Sequence, residues 1–385
     1  MLSVQPFDFQ LKTRLIFGAG SAARLGEVAH GLHFSRTLLV SDRGLLDAGH
    51  VERAITTLAA AGVEALPFHD FEVNPDTEMV KSGAAYAKSG EIDSIVGLGG
   101  GSSLDCAKGI NFLLTNGGEM ADYRGYGKTT MPLLPMVAVP TTAGTGSEAQ
   151  SYAVISDAAT HVKMACGATD AGCRVAVLDP ELTLSQPPFV AAAAGFDAIA
   201  HAVETAVTTR RNEVSRLFSH EAFRLLNHHF ERVLDHPDDL DARSAMQLGA
   251  FYAGVAIEQS MLGAAHACAN PLTAQCQMTH GVALAILLPH IVRWNAATSG
   301  ALYRDLAPDP GSGAPEAEAA GGDQLSARLV EIGRVAGFPT RLRDEGVEES
   351  DLQTLAEAAA EQWTGTFNPR AFGRAEALEV YQCAY

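Results

Sequence analysis

No run of apolar residues in this chain approaches the roughly 20 that a membrane-spanning helix requires. Positive charge is also scarce: 27 lysines and arginines stand against 45 aspartates and glutamates, a formal net charge of −18. That balance excludes a nucleic-acid or anionic-membrane surface, because both are bound through clustered basic side chains. The opening Met1-Leu-Ser-Val-Gln-Pro-Phe-Asp8 has neither the charged start nor the apolar stretch of a secretory signal. Six cysteines, at positions 106, 166, 173, 268, 276 and 383, form no C-x-x-C pair and no regular framework, so reduced thiols are expected. No internal repeat is visible. These absences predict a cytoplasmic protein whose partner is a small molecule, with no nucleic acid and no membrane involved.

What is present is core-forming material. The 385 residues are 47% hydrophobic and only 19% charged, enough for two domains of ordinary size. In the first half, strand signals alternate with alanine-rich helical stretches. Leu15–Phe17, Thr37–Ser41, Ile92–Gly97 and Met136–Val139 read as strands, and Val51–Ala61 and Met79–Lys88 as helices. Such alternation predicts a parallel sheet covered by helices. From Pro187 onward, Phe189–Val207, Ser215–Val233, Ala242–Glu258 and Gly281–Asn295 carry helical patterns with few strand signals. Pro180, Pro187 and Pro188 mark the seam. The expected architecture is an α/β domain over residues 1–185 and an all-helical domain over 186–385. Pro308–Asp323, rich in proline, glycine, alanine and acid, reads as an exposed loop within the helical part.

Three segments compete as phosphate loops. Gly18-Ala-Gly-Ser-Ala-Ala23 has the G-x-G-x-x-A form, with Asp42 at about the distance of a ribose-binding acid, but the bare pattern equally describes a tight turn. Gly127-Lys-Thr-Thr130 ends like a Walker loop, yet Asp122 stands where its first glycine is required. Gly97-Leu-Gly-Gly-Gly-Ser-Ser-Leu-Asp-Cys-Ala-Lys108 is the strongest. It follows a buried-type strand and opens a helix, so free N–H groups and the helix dipole face an anion, and successive glycines let the backbone come close. Thr141, Thr142 and Thr145 lie in a second small-residue loop, as suited to turn formation as to bonding a ribose or phosphate.

Asp197 and His201 are four residues apart in a helical segment and therefore share a face. With His266 and His280 they make one carboxylate and three imidazoles, a set suited to Fe²⁺ or Zn²⁺. Among thirteen histidines, only motif context singles out the last two. Cys276, one turn before His280, is a rival donor, and Glu204 shares a face with His201, where it could orient that ring.

Taken in order, these motifs resemble the iron-containing (group III) alcohol dehydrogenases. The resemblance runs nearly end to end, through Ile16–Gly20, Gly99–Lys108, Pro140–Glu148, Leu178–Thr183, Gly195–Glu204, Asn270–Leu272, Thr279–Gly281 and Phe367–Arg370. It implies a Rossmann-like dinucleotide-binding domain, a helical metal-binding domain and an active site in the cleft between them. It places iron, with zinc as second choice, on Asp197, His201, His266 and His280, and the pyrophosphate of NAD on Gly99, Gly100, Gly101 and Ser102. It sets Thr141, Thr142 and Thr145 along the cofactor, Asp42 at the adenosine ribose, and Asp105 and Lys163 near the nucleotide. The implied reaction moves hydride between NAD(H) and a small alcohol, aldehyde or ketone, in a homo-oligomer. Related activities remain open: hydroxyacid–oxoacid transhydrogenase, maleylacetate reductase, or a non-redox lyase using NAD and zinc. One departure stands out. Many members carry a second histidine four residues after the third ligand, near the nicotinamide, and this chain has Asn270.

Overall fold

A computed structural model of the chain describes residues 6–306 and 318–385, which divide into two units. Gln10–Gln186 form one; Pro187–Tyr385, joined by residues 6–9, form the other.

Along the first unit come β1 (Arg14–Phe17), α1 (Leu25–Gly31), β2 (Arg36–Val40), α2 (Arg43–Asp47), α3 (His50–Ala60), β3 (Glu64–Phe68) and α4 (Thr77–Ser89). Then follow β4 (Ser94–Gly99), α5 (Gly101–Asn116), β5 (Gly125–Tyr126), β6 (Met136–Pro140), β7 (Tyr152–Ser156), β8 (Lys163–Gly167) and β9 (Val175–Leu178). Six strands pair in parallel in the order β1-β9-β6-β4-β2-β3. Successive residues of a strand point to opposite faces, and here both faces are covered. Leu38, Val40 and Ile95 pack with Val80, Leu104 and Ile110 of α4 and α5. Their neighbours Leu39 and Val96 pack with Leu25, Val51 and Leu58 of α1 and α3. That double cover is why β2 and β4 read as continuous apolar runs. Strand β3 contains Pro67 and lies at the sheet edge, where a missing N–H is tolerated. The three-stranded sheet β5-β8-β7 was not foreseen from apolar runs.

The second unit is helical: α6 (Pro188–Thr205), α7 (Glu213–Asp235), α8 (Leu240–Ser260), α9 (Ala264–Cys276), α10 (His280–Arg304), α11 (Glu318–Val335), α12 (Leu352–Ala360) and α13 (Arg374–Ala384). Every residue of α6 from Gly195 to Thr205 is buried, so this part of the helix is enclosed on all sides. The loop expected at Pro308–Asp323 needs correction. Residues 308–317 lie outside the described residues, but 318–323 are the first turns of α11. Their glycines serve close packing rather than loop formation: a Cβ on Gly322 would lie 2.4 Å or so from the Cβ of Ala296 on α10, and one on Gly321 would lie 2.7 Å from the Gly300 carbonyl oxygen. Among the described residues, no helix is long and apolar enough to cross a membrane.

Candidate metal centre and nucleotide turn

Burying a charge is costly unless it is paired, so ionisable residues inside α6 need an explanation. Asp197, His201 and Glu204 all project from this enclosed helix. His266 sits in the first turn of α9 and His280 opens α10. A Cβ on Gly281 would overlap the Ala193 carbonyl, so glycine at this position lets the start of α10 lie against α6.

The imidazoles converge on one carboxylate oxygen. The Nε2 atoms of His201, His266 and His280 lie 3.3, 3.4 and 3.8 Å from Asp197 Oδ1. Ligands about 2.1 Å from a tetrahedral ion stand roughly 3.4 Å from one another, so these spacings fit a shared ion. Asp197 Oδ1 and His266 Nε2 are buried and make no hydrogen bond, which is the state expected of atoms reserved for a metal. The ligand atoms of Asp197, His201 and His266 lie within 4.8 Å of one another; His280 falls outside that tight group, is more open, and approaches Asp197 Oδ1 at 3.8 Å. The His201 and His266 rings stack with centroids 4.7 Å apart. Cys276 has no place in this group of donor atoms.

The far sides of two rings are held as well. His280 Nδ1 meets Thr273 Oγ1 at 3.2 Å, and His266 Nδ1 meets Glu204 Oε2 in a short contact. Glu204 therefore serves His266, not His201 as helix spacing suggested. The three imidazoles together outweigh the cost of burial at Asp197 and hold its carboxyl well below the usual carboxylate range. At His266 burial works against protonation, but Glu204 and Asp197 outweigh it and raise the ring to about 9 in the metal-free protein.

In the first unit, topology assembles the glycine turn and the loops beside it. Strands β6, β4 and β2 are adjacent and parallel, so the segments following their carboxyl ends share one edge. Those segments carry Thr141–Thr145, Gly99–Ser102 and Asp42. Gly99 has φ +146°, a conformation open to glycine and rarely to other residues, and its added Cβ would overlap Ser103. A Cβ on Gly100 would come within 3.2 Å of Thr142 Cγ2, and one on Gly101 within 2.5 Å of Thr145 Cγ2. The glycines thus fit the threonine loop against the turn as well as leaving its amides open. Thr141 N donates to the Gly99 carbonyl at 3.1 Å. Asp42 Oδ2 accepts from Ser103 Oγ at 3.2 Å, which places its carboxylate at the turn. Ser102 Oγ accepts from Asn74 N at 3.2 Å.

Asp105, one turn into α5, accepts from Ser147 Oγ at 2.7 Å. Burial pushes its carboxyl up, against the pull of Lys108, Ser147 and Lys163. Lys163, at the start of β8, acts on the Asp105 carboxyl through its charge. Sequence reasoning missed Lys108, whose fully buried ammonium donates to the carbonyls of Ser147 (2.6 Å), Gln150 (2.8 Å) and Tyr152 (2.9 Å). Its only sequence signal was a lysine on a helix of small and apolar neighbours. The rival loop at Gly18–Ala23 is already satisfied: Asp179 accepts from Gly20 N at 3.1 Å and Ala22 N at 2.9 Å. It is a tight turn whose anion is the chain's own carboxylate. Asn270, one turn after His266, donates from Nδ2 to Gln362 Oε1 at 3.1 Å.

A glycine turn that opens a helix after a parallel strand, with a buried carboxylate–imidazole cluster in the same chain, is the arrangement expected of a metal- and dinucleotide-dependent oxidoreductase. Comparison with known proteins agrees. Residues 12–180 match the model of iron-containing alcohol dehydrogenases, and residues 191–385 match the C-terminal model of the same family. The chain is 33% identical to the 1,3-propanediol dehydrogenase of Citrobacter freundii, with all of both chains covered. It is 31% identical to the NAD-dependent methanol dehydrogenase of Bacillus methanolicus, covering 94% of this chain and 96% of the other. A solved 1,3-propanediol oxidoreductase superposes with a TM-score of 0.94 at 33% identity, covering 99% of this chain and 100% of that one. The chain belongs to the iron-containing alcohol dehydrogenase family. It transfers hydride between NAD(H) and a small alcohol or its carbonyl counterpart in a metal-dependent reaction.

Proposed function

We propose that Asp197, His201, His266 and His280 hold the ion, Fe²⁺ first and Zn²⁺ second, since both accept three imidazoles and a carboxylate. The observation that carries this reading is the convergence of three Nε2 atoms, at 3.3–3.8 Å, on an Asp197 oxygen without a hydrogen bond. An ion held there supplies Lewis acidity toward the substrate oxygen in either direction of the reaction.

The same proposal assigns NAD to the edge formed by Asp42, Gly99–Ser102 and the threonine loop. Backbone N–H groups at the start of α5 face the pyrophosphate, and the helix dipole adds to the attraction. Asp42 accepts from the ribose hydroxyls and repels a 2′-phosphate, which gives NAD preference over NADP. Thr141, Thr142 and Thr145 lie along the cofactor, with Asp105 and Lys163 close to it. Asn270, held by Gln362, hydrogen-bonds without titrating, so it orients a neighbour instead of relaying a proton.

The relatives named for propanediol and methanol support a short-chain primary alcohol or diol as substrate. NADH absorbance with short alcohols, diols and their aldehydes, with and without added Fe²⁺ or Zn²⁺, tests the reading. Metal-dependent turnover on these compounds is expected. Turnover confined to hydroxy acids or maleylacetate would overturn the substrate, and turnover indifferent to metal would overturn the centre.

A further inference from the structure

Glu204 faces two donors at once. Its Oε1 accepts from the Ala265 backbone N–H at 2.6 Å, and its Oε2 lies against His266 Nδ1. Ala264 N–H, the preceding amide of α9, goes to Asn368 Oδ1 at 3.3 Å. The first turn of α9, which carries His266, is thereby fixed by side chains from outside the helix. An added Cβ on Gly263, just before it, would lie 3.1 Å from both Glu204 Oε1 and Asn368 Oδ1.

A carboxylate only accepts hydrogen bonds, so the nitrogen it touches must carry the proton. We propose that Glu204 is a positioning residue that fixes His266 as the Nδ1–H tautomer and so keeps the Nε2 lone pair free for a metal. The inference rests on the reading that this cluster holds an ion. Thr273, beside His280, is a weaker guide, because a hydroxyl can donate or accept. At His266 a carboxylate on Nδ1 dictates that Nε2 is the nitrogen left bare.

Glutamine at 204 separates this role from simple packing. It keeps the volume but offers one acceptor oxygen to two donors. If that oxygen takes Ala265 N–H, the amide NH₂ faces His266 Nδ1 and favours the wrong tautomer, with the proton on Nε2. If it takes His266, the NH₂ opposes a buried backbone N–H.

The test follows release of zinc to a chelator from loaded wild type, E204Q and H266A, with far-UV circular dichroism to confirm folding. E204Q is expected to release zinc about 10–100-fold faster than wild type, the usual effect of losing such an outer partner. Release from E204Q at the wild-type rate, with H266A depleted of metal, overturns the role of Glu204 alone. Wild-type metal retention in H266A overturns the metal centre itself. A second measurement needs only folded wild type: the zinc-loaded protein should show a far-downfield Nδ1–H proton resonance that is absent from H266A. Its absence in wild type overturns the tautomer assignment.

Discussion

The Gly18–Ala23 loop allows a sharp separation of fold from function, through Asp179→Ala. Asp179 is buried, and its carboxylate accepts from Gly20 N (3.1 Å), Ala22 N (2.9 Å) and Glu181 N (3.1 Å). The last contact caps the short helical segment Pro180–Ser185. Truncation strands three donors, but Gly20 and Glu181 are exposed enough for water to replace the lost acceptor. The half-buried Ala22 N–H bears the fuller cost, about 1–3 kcal/mol for an unpaired donor, and loss of a cap adds about 1 kcal/mol. The sum, about 2–4 kcal/mol, corresponds to a fall in melting temperature of roughly 4–15 °C for a unit of this size. Because the loop's amides already serve Asp179, the Kd for NAD of the folded variant should stay within about twofold of wild type. Differential scanning calorimetry and titration calorimetry below the transition measure the two quantities. An unchanged melting temperature together with a tenfold or greater loss of NAD affinity would refute the structural reading and return this loop to the cofactor.

Replacing Asp42 by glycine should lower kcat/KM with NAD and raise it with NADP; equal wild-type efficiency with both cofactors contradicts the role assigned to Asp42. Asn270→His should add an ionisation near pH 6.5 to the profile of kcat/KM at matched metal content, and superimposable profiles would leave Asn270 without a link to proton transfer. Glu148 is buried and its carboxyl is raised to about 7, so the folded state binds a proton that the unfolded state releases from about pH 4.5 upward. Stability therefore falls as pH climbs from about 4.5 through 7. Glu148→Gln, lacking that group, should gain up to about 3 kcal/mol over wild type at pH 8 and little at pH 4.5. A pH-independent difference in urea midpoints would contradict this.

The α/β half was readable because double-sided cover turns its central strands into unbroken apolar runs, and Asp197 with His201 stood out as polar pairs in an otherwise apolar helix. What stayed hidden depends on contacts between distant positions. Glu204 looked like a partner of His201, three residues away, yet its contact is 62 positions on. The Gly18–Ala23 loop resembled a phosphate site because its true anion, Asp179, lies 157 positions beyond Ala22. His266 and His280 were singled out by motif context alone, since nothing in their immediate neighbours distinguishes a ligand from a core histidine. The glycines at the start of α11 suggested a loop by composition, whereas they allow close packing on α10.

In the proposed centre one divalent ion sits among Asp197, His201, His266 and His280. Anomalous diffraction from crystals of the metal-loaded enzyme, collected at the iron and zinc absorption edges, tests it most directly. A single strong peak is expected about 2.0–2.2 Å from Asp197 and the three Nε2 atoms. A peak elsewhere, or none at this cluster in a protein that turns over, contradicts it.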